Sequence, residues 1–272
     1  MRKRIFTFWE PKSNIPGYLH LCMRTWEKFL PDYEVVLCDY SNLADYLDKT
    51  TVSEILCKKM PLPQQADCIR AALLKNHGGI WLDADTIITS ANCFKWMEKS
   101  EVVMIGRPNT AGRVHVGFIY TSRPDTDFIN AWYSALRYRI RNYKLLYKFI
   151  FLRWIFRKKW REMIRWNYCS NAIIDPLWKN FPSDKFILVD RDQIGALPEF
   201  LSKLNKQSIP LGKLYHDFYL KKGNARTQVM DKTKGLVLLH NSRMPKPYRD
   251  MTANEFLQQD ILLADLLKRI LE

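Results

Sequence analysis

The chain has 272 residues, 47% hydrophobic, 13% aromatic and 26% charged, with ten glycines, which excludes disorder, a collagen-like fibre and a disulfide miniprotein and leaves one large domain or a domain with an appended element. Its 43 Lys and Arg against 28 Asp and Glu leave a net charge of +15, a surplus that calls for a polyanionic partner such as nucleic acid, phospholipid headgroups or a diphosphate substrate. The six cysteines lie in apolar stretches with no C-x-x-C pair, so they read as reduced packing residues of a cytosolic protein, and a zinc knuckle is not expected.

The N-terminus starts with bases, but its apolar run stops at Glu10-Pro11, too short for a secretion signal. No stretch of roughly 18 uncharged apolar residues exists, so no bilayer span is expected. Residues 5–9 read as a short apolar strand, 18–29 as a helix and Tyr33–Cys38 as a second strand. Residues 64–77 read as a helix closed by Gly78-Gly79, because glycine accepts the left-handed conformation of a helix C-terminus. A buried strand at 80–82 then runs into Asp83-Ala84-Asp85, and strands are expected at 102–105, 116–121, 186–189 and 236–239, with helix from 252 to the end. This alternation predicts an α/β sheet with crossover helices.

Residues 137–165 differ from the rest. They hold eleven Lys or Arg against one acid, Glu162, together with eight aromatics. Residues 145–156 form a mostly apolar core interrupted by Lys148 and Arg153, a pattern that predicts a helix lying in an anionic membrane interface rather than crossing it.

Asp-x-Asp occurs three times, at Asp83–Asp85, Asp125–Asp127 and Asp190–Asp192, where on the order of one is expected by chance. Context separates them. Asp83 and Asp85 end a buried strand, where α/β sheets place ligands, and alternation aims both carboxylates to one side. Asp125 reads as the N-cap of the following helix and Asp190 as the start of a polar turn. Two carboxylates at the end of a strand suit a hard divalent cation, Mn²⁺ or Mg²⁺, bridging to a diphosphate. Upstream, Asp67 and Arg70 are three apart and so share a helical face. Asn171 and Asp175, four apart, do likewise.

From Gln65 through Asp67-Cys-Ile-Arg70 to His77-Gly-Gly-Ile-Trp-Leu-Asp83-Ala-Asp85-Thr86, the sequence resembles the signature of the DXD glycosyltransferases of the capsular polysaccharide synthesis type. It is also similar to a wider group containing yeast mannosyltransferases and clostridial toxin glucosyltransferases. Arg4 to Trp9, Ile15-Pro16, Trp26 and Leu30-Pro-Asp-Tyr-Glu-Val35 resemble the family's opening segments. Near the end, His240-Asn-Ser-Arg-Met-Pro-Lys246-Pro-Tyr248 resembles the H-x5-K-P-[WY] segment of retaining galactosyltransferases, with Arg243 in place of that group's glycine.

The resemblance implies a GT-A-type fold and a metal-dependent, retaining hexosyltransferase. A uridine diphosphate sugar, galactose or glucose, would be the donor, and a lipid-linked saccharide of capsule or cell-surface polysaccharide assembly the acceptor. Trp9 would stack on the uracil, and Asp67 and Arg70 would hold the donor sugar and phosphate. Asp85, Asp83 and His240 would bind Mn²⁺ or Mg²⁺, with Asp83 alternatively on the ribose, and Lys246 would meet the diphosphate. The Val116-Gly117-Phe118 stretch lacks the polar residue often found near the sugar, which leaves Asn171 and Asp175 as candidate assistants.

Residues 1–136 would form the nucleotide-sugar half, 137–166 a basic segment on the inner face of the cell membrane, and 167–272 the acceptor side, all within one GT-A domain. A nucleic-acid-binding protein would explain the charge, but no RNA-binding or zinc-finger pattern accompanies it, and nucleic acid is not an expected partner. A sugar nucleotidyltransferase would need a glycine-rich loop after the first strand, where the sequence reads Trp9-Glu-Pro-Lys-Ser.

Overall fold

The computed structural model describes residues 3–107, 113–152, 154–194, 218–222 and 235–272. Six strands form the main sheet: β1 (Lys3–Phe8), β2 (Tyr33–Cys38), β3 (Gly79–Leu82), β5 (Val102–Arg107), β6 (Arg113–Thr121) and β7 (Phe186–Asp190). Their order is β2-β1-β3-β6-β5-β7, with only β6 antiparallel to its neighbours. A separate ribbon pairs β4 (Thr86–Ile88) with β8 (Leu236–Leu238). The expected α/β class with flanking helices is what the chain adopts.

Strand alternation feeds two cores at once. Phe6, Trp81, Met104 and Ile119 point to one face, against α3 (Leu62–His77), α4 (Asp127–Lys148) and α6 (Asn171–Leu177). Their neighbours Ile5, Ile80, Leu82, Ile105 and Phe118 point to the other, against Trp26 of α1 (Gly17–Phe29) and the β4–β8 ribbon. Both faces are covered, so these strands read as continuous apolar runs. The far side of α1 packs on α9 (Ala253–Leu257) and α10 (Leu262–Leu271), with Tyr18, Leu21, Phe256 and Leu263 fully buried.

The α3–β3 junction forms as predicted. Gly78 and Gly79 have φ of 66° and 92°, and a Cβ on Gly79 would stand 2.5 Å from the Arg4 carbonyl oxygen. Glycine is required here for both conformation and closeness. All six cysteines are free, five of them buried.

Four expectations are corrected. The C-terminal helix is two helices, because Ile261 is extended and the Leu262 amide donates to the Lys221 carbonyl. Asp125 is not an N-cap: Thr126 holds that position, while Asp125 has φ 54° and pairs with Lys75 at 2.9 Å. Residues 145–156 are not one helix. The α4 helix stops at Lys148, a 3-10 turn covers Ile150–Leu152, and α5 (Arg157–Met163) starts afresh. Leu146 and Tyr147 still reach the core, but Phe149, Ile150, Phe151, Trp154, Ile155 and Phe156 are exposed, and aromatic and β-branched residues are weak helix formers with no surface to cover. Finally, Asp190 does not start a turn: it is the last residue of β7, and helix follows directly from Arg191. Arg153 and the side chain of Asp192 lie outside the described residues. The other short helices among the described residues are α2 (Lys49–Ile55), α7 (Arg191–Ile194) and α8 (Lys246–Arg249).

Candidate active site

The register of β6 against β5 jumps, Met104 facing Ile119 and Ile105 facing His115. The irregularity frees residues 116–118 from β5 and turns them to β3, as bulges beside ligand sites do. The Asp83 amide donates to the Gly117 carbonyl at 2.9 Å. A Cβ on Gly117 would meet Asp83 Oδ2 at 2.7 Å and His115 Cε1 at 2.5 Å. A side chain at this position would push Asp83 or His115 aside.

Arg70 holds Asp83. Its Nη2 donates to Asp83 Oδ1 at 2.8 Å and its Nη1 to the Val116 carbonyl at 2.6 Å. Asp67 Oδ1 stands 3.4 Å from the same guanidinium, which also lies 4.7 Å from the Trp81 ring centroid. The Trp81 indole N–H donates to Asp83 Oδ1 at 2.9 Å. Arg70 is thus buried with both terminal nitrogens engaged by protein groups, its Nε having no partner among the described residues, so it positions Asp83, whereas the Asp83 side chain keeps 36% exposure.

Asp85 is held from the far end of the chain. Pairing of β4 with β8 carries the following residues past the motif, so that the Leu239 amide donates to the Asp85 carbonyl at 3.1 Å and the Asn241 amide to Asp85 Oδ2 at 2.7 Å. The ribbon itself is fastened to α1: the Trp26 indole N–H donates to the Thr86 carbonyl at 2.7 Å and the Ile88 amide to Thr25 Oγ1 at 3.0 Å.

The electrostatics follow from this crowding. Burial, then the Asp83 charge, pushes Asp85 up to about 7 against the pull of the Asn241 amide. Burial would raise Asp83 too, but Arg70, the Trp81 N–H, His115 and His240 outweigh it and hold it below the ordinary carboxylate range. Asp67 is driven up to about 6 by burial, with Arg70 and the Ser170 hydroxyl opposing. Burial and the Arg191 charge push His115 down to about 3, and the same two causes lower His240. Both imidazoles are neutral near pH 7.

A cleft of about 830 Å³ adjoins this centre through Asn241, lined by Trp9, Ile15, His20, Lys246 and Arg249 among others. Trp9 sits just beyond the end of β1, its amide donating to the Cys38 carbonyl. Arg249 Nε is buried with no partner among the described residues. An aromatic wall with cations suits a nucleoside diphosphate.

Asn171 and Asp175 are brought together, 3.3 Å apart, but they serve β6: Asn171 Nδ2 donates to the Val114 carbonyl at 2.5 Å, and Asp175 Oδ1 accepts from the Val114 amide at 3.0 Å. Asp127 is an exposed first residue of α4, 4.0 Å from Lys185. Among the described residues no three His, Cys, Asp or Glu side chains stand together as a ready metal site.

The family model for "Capsular polysaccharide synthesis protein" matches residues 1–228. The chain belongs to the capsular polysaccharide synthesis family. The match spans the basic segment and ends before His240 and Lys246. No curated protein matches. Among solved structures, the chain is similar to "PaToxG Glycosyltransferase" at 15% identity and a TM-score of 0.39, covering 99% of this chain and 85% of that one. The apo-form glycosyltransferase GlyE of Streptococcus pneumoniae TIGR4 is 11% identical with a TM-score of 0.37, and the match covers 99% of this chain but only 63% of GlyE, less than two thirds of its length.

In this family member the sequence reading overlooked His115, Asn241, Arg249 and Arg191. Asn241 and Arg249 flank or follow the His240–Lys246 segment and were within reach of its pattern. His115 and Arg191 carried no signal, because only the β6 irregularity and the first residue of α7 bring them to Asp83 and His240.

Proposed function

We propose that the protein is a metal-dependent, retaining glycosyltransferase. It moves a hexose, galactose or glucose, from a uridine diphosphate sugar to a lipid-linked oligosaccharide in capsular or cell-surface polysaccharide biosynthesis. The observation that carries this reading is the pair Asp83 and Asp85, braced by Arg70 and the Asn241 amide, next to a cleft that Asn241 lines together with Trp9 and Lys246.

The donor set fits a hard cation. Asp85 is pushed up first by burial and then by the Asp83 charge, and a divalent ion with oxygen and imidazole ligands relieves both. Asp83 and Asp85 would hold Mn²⁺ or Mg²⁺, with neutral His240 as the third ligand, and the bound ion would supply charge neutralisation for the donor diphosphate. Trp9 offers its ring to the uracil. Lys246 and Arg249 meet the diphosphate as negative charge builds on its leaving oxygen. Asp67 and Arg70 keep Asp83 aimed, and the Asn171–Asp175 pair pins the strand that carries Gly117. In a retaining transfer without an enzymic nucleophile the acceptor hydroxyl attacks from the face the diphosphate leaves, so no dedicated base is required.

The test is titration with uridine diphosphate and Mn²⁺ while tryptophan fluorescence is followed, together with donor hydrolysis across a panel of sugar nucleotides. Saturable quenching that needs both components, and hydrolysis of a uridine diphosphate hexose, are expected. A flat titration and no hydrolysis would refute the reading.

A further inference from the structure

The buried face of α4 runs through Phe128, Trp132, Leu136, Ile140 and Tyr143 and then ends. Leu146 and Tyr147 still touch the core, and the described side chains from Phe149 to Lys159 are exposed before Trp160 and Met163 return to it. Of eleven large hydrophobic side chains exposed among the described residues, ten lie between Tyr138 and Trp166, with Phe151, Trp154 and Trp166 exposed by 69%, 73% and 70%. A run this long has no place on an ordinary solvated face.

Bases bracket it. Arg137, Arg141, Lys144 and Lys148 follow one another along α4 beside a groove of about 640 Å³. Arg157, Lys158, Lys159 and Arg161 are exposed on the other side of the aromatic stretch. The excursion is anchored where it returns: Met163 is buried, and Gln64 Nε2 donates to the Met163 and Arg165 carbonyls at 2.9 and 2.7 Å. Gln64 precedes Asp67 by one helical turn of α3.

We propose that the described residues between Leu145 and Trp166 dock on the surface of an anionic phospholipid bilayer, with the exposed aromatic and aliphatic side chains in the headgroup layer and the flanking bases on lipid phosphates. Charge complementarity selects this occupant. A second copy would set like-charged segments against each other, and single-stranded nucleic acid would stack on the rings but leave Leu145, Ile150, Ile155 and Ile164 unused. Apolar area and basic charge together are what hold a non-spanning segment to anionic lipid, and among the described residues no helix is long and apolar enough to cross a membrane. For the transferase reading, on which this purpose rests, docking brings a lipid-linked acceptor to the Asp67 side of the site.

Sedimentation with vesicles of phosphatidylcholine, with and without phosphatidylglycerol, tests the proposal. Binding is expected only with the anionic lipid and should fall steeply as salt rises. The Arg157→Gln, Lys158→Gln, Lys159→Gln, Arg161→Gln variant should lose tenfold or more of the partition and most of its salt dependence. Phe151→Ser with Trp154→Ser should lose as much partition and keep the salt dependence. Thermal melting checks that both exposed-surface variants fold. Equal binding to neutral vesicles, unchanged binding of both variants, a dimer dissolved by Phe151→Ser with Trp154→Ser, or loss of single-stranded RNA binding with vesicle binding intact would each overturn it. Vesicle binding needs no donor, so a chain that sediments but hydrolyses no sugar nucleotide refutes the transferase alone, and the reverse pattern refutes the docking surface alone.

Discussion

Asp85 and Asp127 share a motif but not a setting: one is hydrogen-bonded by an amide from the far end of the chain, the other is an exposed residue in the first turn of α4. Asp85→Asn should abolish transfer and weaken uridine diphosphate binding in Mn²⁺, while Asp127→Asn should leave both within about twofold; equal losses in a steady-state assay would dismiss the motif assignment. Lys246, whose charge is needed most as the diphosphate departs, should when replaced by Ala lower kcat more than it raises the donor KM, and a raised KM alone would take it out of that role. Asp67 offers a pH test. Its folded pKa, about 6, lies above the ordinary carboxylate value, so the folded state holds the proton more tightly. The stability this contributes is present below about pH 4 and is lost as pH rises through 6, by about 3 kcal/mol for a shift of two units. Asp67→Asn should remove that decline, and urea melts of both proteins at pH 4.5 and 7 with equal differences would contradict it.

At the scale of elements, the α3–β3 junction was legible because each signal agreed: a long helical period, two glycines and an apolar run that ends at the carboxylates. Gly79→Ala would force a Cβ into the Arg4 carbonyl at a φ that alanine avoids, and the expected cost is about 3 kcal/mol or more in chemical denaturation. A loss under about 1 kcal/mol would mean that β1 and β3 can part at little expense. The stretch 145–156 misled for the converse reason. Apolar content suggests helix, but a helix of poor formers is stabilised by the surface it covers, and past Lys148 the described residues of this stretch cover none within the chain. The ribbon strand β4 was invisible because three residues carry no period.

For the whole molecule, the proposed donor cleft draws on both ends of the chain, Trp9 from one and Asn241 with Lys246 from the other. A ligand there should therefore stabilise the fold as a unit. Uridine diphosphate at about a hundred times its Kd adds about 2.7 kcal/mol, a rise in Tm of roughly 5 °C for a chain of this size. Mn²⁺ should be needed for the full shift, and an unchanged melting curve with both present would argue against binding. The sequence by itself determined the α/β class, the strand that delivers Asp83 and Asp85, and the glycines that close the preceding helix, since all of these arise from neighbours along the chain. Only the tertiary structure decided that Asn241 holds Asp85 across 156 positions, that Arg70 is occupied by Asp83, and that an irregular β6 brings His115 to the site. Those contacts depend on strand pairing between distant segments and on a register shift, and neither leaves a local pattern in the order of residues.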